Sequence, residues 1–417
     1  MTEIPASRII EAKTGITRAV FPEPFLVSLH RVQAPYRGCG HGCRYCDGRA
    51  EKYYVEGDFE RDIMVRSNLS DLVKGEVASG FLSREYGSVC IGSGVTDVYQ
   101  PLERDLEITR RTLEALVPAQ QPIVILTKND LVLRDFDILS RFPKVLVIVT
   151  VTTVNAAHAS MLEPGASSPS ERIEVVRRAK EAGFLSGIMA MPMCPGISES
   201  MDSFTAVVDA AELAGADFVY PGGLTLRPGK QKDLFLSLID DEFPDLMPLY
   251  ESRYRENRQS GMPIIAECGS VENDWHALLR SRGIARMIPH KVYRELLSPP
   301  DALFVLLCHM ESLYSSRGIS TKPLNASLKR YSEWLKEERT TLRRKRIKPL
   351  ESDPFPITRI LSEKLDALCS PQTGSAGIAG SGIAKLLGNE KLASLVKAVV
   401  RDNAVFDYST LSIPAII

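Results

Sequence analysis

The chain has 417 residues, 44% hydrophobic and 25% charged, with 51 Lys plus Arg against 52 Asp plus Glu, a net charge of −1. That balance excludes a disordered, collagenous or disulfide-stapled chain, and it gives no global attraction to nucleic acid or to an anionic membrane. At roughly 150 residues per domain, the length suggests two or three domains.

Residues 1–24 read as an N-terminal extension. Met1 to Thr14 is polar and of mixed charge, without the basic start and apolar core of a secretory signal. The longest apolar runs, Val145–Val154 and Ala302–Cys308, fall short of the ~20 residues that cross a bilayer. The expectation is a cytoplasmic protein with no membrane association.

From residue 25 to about 270, strand-like runs alternate with helix-like ones. The predicted strands are Val27–Val32, Ser88–Ile91, Ile123–Leu126, Val145–Val151, Ser186–Met191, Phe218–Tyr220 and Pro263–Ala266. Between them, helical spacing covers Leu69–Ser79, Glu103–Leu116, Asp135–Ser140, Ser170–Ala182, Ser200–Ala214 and Leu246–Ser260. Ser170 supplies a capping hydroxyl with Glu171 in the first turn, and Ser198–Glu199 is similar. Such alternation predicts an α/β fold with a parallel sheet, a partial or complete (β/α) barrel whose ligand site lies at the carboxyl ends of the strands. Residues 271–417 read as a mostly helical C-terminal region, with helices over Asp301–Tyr314, Asn325–Arg346, Thr358–Cys369 and Ile383–Arg401 and a flexible connector at Ser370–Gly382.

Eight cysteines are present, and three of them fall within eight residues, in Cys39-Gly40-His41-Gly42-Cys43-Arg44-Tyr45-Cys46. The other five are scattered and read as small buried hydrophobes. In a chain of this class the cluster signals a metal site. Three thiolates on one short loop can ligate three irons of a 4Fe–4S cluster and leave the fourth open. Glycines 38, 40 and 42 let the backbone curl around an inorganic core, and Tyr45 can shield it from water. The alternative is a non-catalytic zinc or electron-transfer protein, with His41 as a fourth zinc ligand; otherwise His41 is a hydrogen-bonding loop residue.

These residues resemble the radical S-adenosylmethionine (SAM) enzymes, and within them the spore photoproduct lyase-like group. The resemblance covers roughly residues 25–270. It is carried by the cysteine motif and, in order, by Gly94-Val95-Thr96-Asp97 running on to Glu103, Thr127-Lys128, Leu162-Glu163-Pro164-Gly165-Ala166-Ser167 with Arg172, and Met191-Pro192. It implies Cys39, Cys43 and Cys46 as cluster ligands, with SAM chelating the open iron and yielding a 5′-deoxyadenosyl radical that takes hydrogen from substrate. It also implies Lys128 against the SAM carboxylate, Ser93, Thr96 and Asp97 as polar contacts to its amino group, Thr150 as a further hydroxyl, and Glu163 and Arg172 within the cofactor site. An electron donor such as flavodoxin or ferredoxin is implied as partner. Nucleic acid is a possible substrate class.

Two departures from the group's pattern bear on the chemistry. Asp47 stands where many relatives carry an aromatic, a tyrosine in the lyase. Gly94 stands where the lyase has its cysteine hydrogen donor, and Cys90 lies four residues earlier, inside a strand. Spore photoproduct repair by a thiol route is therefore not the expected activity. Separately, Arg339 to Lys348 carries six basic residues in ten positions. It reads as a solvated helix end pairing with Glu337 and Glu338, the alternative being a phosphate contact in a nucleic-acid-binding protein.

Overall fold

The computed structural model describes residues 8–53, 57–92, 94–370 and 382–413. Its centre is a seven-stranded sheet, whose strands we number in chain order: β1 Ile16–Glu23, β2 Ser28–Val32, β3 Val89–Ile91, β4 Ile123–Thr127, β5 Val145–Thr150, β6 Leu185–Met193 and β7 Val219–Gly223. Spatial order follows chain order from β1 to β7. Every pairing from β2 onward is parallel, and β1 runs antiparallel to β2. Among the described residues β1 and β7 are the two edges and do not meet, so the barrel is partial. A small second sheet joins Ile9–Ile10, Met64–Arg66 and Tyr36–Arg37.

Strand side chains alternate between two cores. Val89 and Ile91, Ile123 and Ile125, and Val145, Val147 and Val149 face outward against the helices Leu69–Ala78, Ile108–Leu116, Pro169–Glu181 and Met201–Leu213. Cys90, Val124, Leu146, Ile148 and Met189 face the concave side. There they meet side chains of the helices Pro299–Ser315, Lys322–Arg344, Pro356–Cys369 and Glu390–Arg401. Burial on both faces is why these strands read as continuous apolar runs. Residues on either side of position 270 thus share one core.

The structure departs from the sequence reading at several points. β1 lies within the stretch set aside as an extension. It contains Pro22, which lacks a ladder donor and is tolerated on an edge. Pro263–Ala266 is no strand: Ile265–Glu267 forms a 3-10 turn and Ile265 is 74% exposed. The Pro169–Glu181 helix is capped by Ser168 rather than Ser170, in a reciprocal capping box with Glu171, and the Met201–Leu213 helix is capped by Ser200. The long C-terminal helix is broken at Gly388, giving Gly382–Leu387 and Glu390–Arg401. Most of the connector expected at Ser370–Gly382 lies outside the described residues.

The basic run is only in part a solvated helix end. Arg339 is buried: its Nη2 reaches both Asp301 oxygens at 2.8 and 2.7 Å, and its Nη1 reaches the Val20 carbonyl at 2.5 Å. Arg343 holds Glu85 at 2.6 and 3.0 Å and the Ala19 carbonyl at 2.8 Å. Glu338 pairs with Lys364 instead. These two arginines fasten the C-terminal helices to β1. No helix among the described residues is long and apolar enough to cross a membrane.

Candidate functional site

All three clustered cysteines line one cavity of about 290 Å³. The loop that carries them leaves the small sheet after Arg37 and turns on Gly38 and Gly42, both at positive φ. A Cβ on Gly38 would stand 2.8 Å from the Phe59 carbonyl, so the turn needs glycine. The Cys39 amide donates to that same carbonyl at 2.9 Å, and the Gly42 and Cys46 amides reach back to Cys39 and Cys43 at 3.3 Å. Arg49 caps the loop from outside, donating to the Cys43 carbonyl at 3.0 Å and to Glu60 at 2.7 Å.

Burial pushes the Cys39 thiol up to about 12, with Asp97 and Cys46 adding to the effect. Burial likewise raises Cys43 well above, and Cys46 above, the usual thiol range. Two buried thiols and a third, partly buried one on a single wall ionise together only against a strongly cationic partner, and iron is such a partner. The donor set therefore fits an iron–sulfur cluster. Among the described residues, no three His, Cys, Asp or Glu side chains close into a metal-holding group of their own. His41 does not complete a zinc tetrahedron. Its Nδ1 faces Asp97 at 3.5 Å and its Nε2 faces Asn129 at 3.3 Å, so it is the hydrogen-bonding loop residue the sequence suggested.

The strand ends bring the other residues to the same cavity. Thr96, Asp97, Lys128 and Thr150 all line it. The Thr96 hydroxyl donates to the Gly38 carbonyl at 2.7 Å, which leaves its lone pairs for a ligand. Lys128 makes no ion pair among the described residues, and its Nζ stands 5.9 Å from the centre of the Tyr45 ring. Asp97 is already engaged. One oxygen accepts from the Tyr99 amide and the Thr127 hydroxyl, both at 2.8 Å, and the other from the Lys128 amide at 2.7 Å with His41 beyond it. With four donors around it, Asp97 ties the end of β3 to the end of β4 and has little capacity left for an ammonium. Ser93 lies outside the described residues.

Glu163 and Arg172 are not on the cavity wall. Both are buried behind it, joined at 2.5 Å. Glu163 accepts from the hydroxyls of Tyr45 and Thr152. Burial alone would raise its carboxyl, but Arg172, Lys128 and the two hydroxyls hold it down at about 2.

Several lining residues carried no sequence signal of their own: Phe25, Leu224 and Thr225. Asp47 lines the cavity too, but its carboxylate is taken. Arg227 Nε donates to one oxygen at 2.7 Å and Tyr53 to the other at 3.3 Å. Gln231 completes this closure, donating to the carbonyls of Tyr45 and Thr225 at 2.8 Å. Cys90 does not reach the site; it is buried on the concave face against the C-terminal helices, with burial raising its thiol to about 12. Gly94 is at the cavity wall.

Residues 34–206 match the family model described as Radical SAM superfamily. An uncharacterized protein of Mycobacterium bovis is 26% identical over 227 residues, which cover 53% of this chain and 66% of that protein. One of Methanocaldococcus jannaschii is 31% identical over 163 residues, 39% of this chain and 60% of that protein. The chain thus spans just under two thirds of these relatives. Among solved structures, spore photoproduct lyase complexed with dinucleoside spore photoproduct aligns at a TM-score of 0.49 and 15% identity, covering 66% of this chain and 78% of that one.

Proposed function

Residues 34–206 match the radical SAM family model, and on that likeness we propose that the protein binds a 4Fe–4S cluster through Cys39, Cys43 and Cys46 and cleaves SAM reductively. The observation that carries this reading is the convergence of the three cysteines with Thr96, Lys128 and Thr150 on one cavity at the strand ends. Cluster and SAM together supply a 5′-deoxyadenosyl radical for hydrogen abstraction, chemistry that belongs to the cofactors.

The chain's own residues supply position and dryness. Lys128, half-buried and without an ion pair among the described residues, offers its ammonium to the carboxylate of SAM. Thr96 and Thr150 present hydroxyls on either side of it. Tyr45 covers the cysteine loop from the cavity side. Leu126, Met189, Met191 and Phe25 add apolar lining to the same cavity, which limits the water at the place where hydrogen is exchanged.

The reaction proposed is one without a protein thiol. Among the described residues, the three clustered cysteines are the only cysteines that line the cavity. A dinucleotide spore photoproduct should therefore not be repaired, and efficient repair surviving Cys90→Ala would reject this part. The electron comes from an external reductant, for which flavodoxin or ferredoxin are the candidates.

The test is anaerobic reconstitution of the full chain. Iron and sulfide near ~4 per chain, a brown colour, and 5′-deoxyadenosine on adding dithionite and SAM are expected. Cys43→Ala should lose most of the iron and all SAM cleavage. A colourless protein that takes up zinc would overturn the reading.

A further inference from the structure

The segment Leu162–Ser167 and Arg172 belong to the sequence pattern but do not touch the cavity, which raises the question of what they act on. The backbone gives one answer. The Arg44 amide donates to the Leu162 carbonyl at 2.9 Å, and the Gly165 amide donates to the His41 carbonyl at 2.9 Å. The Ser167 amide donates to the Lys128 carbonyl at 3.2 Å. This segment therefore sits under the cysteine loop and beside the end of β4 at once. The fit is close: a Cβ on Gly165 would stand 2.3 Å from the Gly40 carbonyl oxygen and 3.0 Å from the His41 Cα.

The side chains continue the same connection. Arg172 Nη1 donates to the Thr150 carbonyl at 2.8 Å, at the end of β5, while Nη2 holds Glu163 at 2.5 Å. Glu163 in turn accepts from the hydroxyl of Tyr45, which lies between Cys43 and Cys46, and from Thr152. The Tyr45 hydroxyl is also 3.2 Å from that of Thr152. An unbroken chain of charge-assisted bonds therefore runs from the rigid end of β5 to the middle of the cysteine loop, wholly out of solvent.

We propose that Glu163 and Arg172 are positioning residues for the cysteine loop: Arg172 anchors Glu163 to β5, and Glu163, through the Tyr45 hydroxyl, fixes the Cys43–Cys46 segment against the strand ends. They act on how firmly the loop holds its metal and make no contact with SAM. This rests on the cluster reading above and adds the residues that keep the ligands in place. Partners that orient metal ligands typically change metal affinity by about 10–100-fold when removed.

The experiment compares wild type, Glu163→Gln, Arg172→Met, Arg172→Lys, Tyr45→Phe and Lys128→Ala, each full-length and reconstituted without oxygen. Iron loss to a ferrous chelator, the electron paramagnetic resonance signal of the reduced cluster, and SAM affinity per loaded cluster are measured. Amide hydrogen exchange of residues 38–46 is followed in the metal-free chain. Glu163→Gln, Arg172→Met and Tyr45→Phe should release iron about tenfold faster, alter the resonance signal and raise exchange in the loop, with SAM affinity within about twofold of wild type. Arg172→Lys should restore part of the loss, and Lys128→Ala should show the converse pattern. Tyr45→Phe removes only one hydroxyl and keeps the test valid if the buried-charge variants fail to fold. Weakened SAM binding with unchanged iron release in Glu163→Gln would overturn the proposal, as would no change in either. Wild type that takes up zinc and no iron would overturn the cluster reading beneath it, an outcome read before any variant is examined.

Discussion

Arg339→Met should destabilise the chain by about 3–5 kcal/mol, the range for stranding one partner of a buried ion pair. The magnitude follows from what each neighbour keeps. Glu85, 3% exposed, retains Arg343 at 2.6 and 3.0 Å. Its 3.1 Å approach to Arg339 Nε is too poorly aligned to count as a hydrogen bond. Asp301, fully buried, loses both bonds to Nη2 and is left with the Ser298 hydroxyl at 2.8 Å. The Val20 carbonyl loses its donor as well. Methionine fills most of the space of the arginine stem, so the cost is electrostatic rather than a cavity. Urea unfolding of the metal-free chain, followed by circular dichroism, measures the loss. Asp301→Asn combined with Arg339→Met should recover much of it, because a neutral pair needs no counter-charge. A loss below about 1 kcal/mol for the single variant, or a double variant no better than the single, would refute the reasoning.

Lys128→Ala should weaken SAM binding by about 1.5–3 kcal/mol, the range for a hydrogen bond between charged groups, with cluster iron unchanged; equilibrium binding to the reconstituted chain measures it. Gly165→Ala should lower cluster loading, since its Cβ would stand 2.3 Å from the Gly40 carbonyl; iron per chain after reconstitution is the readout, and full loading would speak against a close seat. His30, His290 and His309 are held neutral by burial, which lowers His30 to about 3 and the other two to about 4. Below a pH of about 6.5 the unfolded chain binds protons that the folded chain refuses, so stability is full above that value. It should fall by about 2 kcal/mol per histidine by pH 5, and urea midpoints at pH 7 and pH 5 check it.

The strands that sequence placed well are those buried on both faces, such as Val145–Thr150, where β-branched runs leave little choice. The misplaced run, Pro263–Ala266, is as apolar, but it lies beyond the last strand and Ile265 is left facing solvent. The cysteines were legible because their spacing is local. The placement of Glu163 and Arg172 was not: the motif could be seen, but the side of the cysteine loop on which it lies is a tertiary fact. Asp47 is similar. As a residue beside a cysteine it looks free to attract a cation, yet its partner Arg227 comes from a loop 180 residues later. Arg339 reads as one more cation in a basic run, because Asp301 and Glu85 reach it only through packing.

The cysteine loop, Lys128 and Thr150 hang from strand ends, while the lower part of the same concave face is filled by helices from the far end of the chain. Chemistry and depth of the chamber are thus set by separate stretches of sequence. Leu126, Met189 and Met191 stand at the seam, lining the cavity and packing against the C-terminal core at once. Redesigning these side chains, or the helical residues beneath them, would lower or raise the floor of the cavity and leave the strand ends that carry Lys128 and Thr150 as they are.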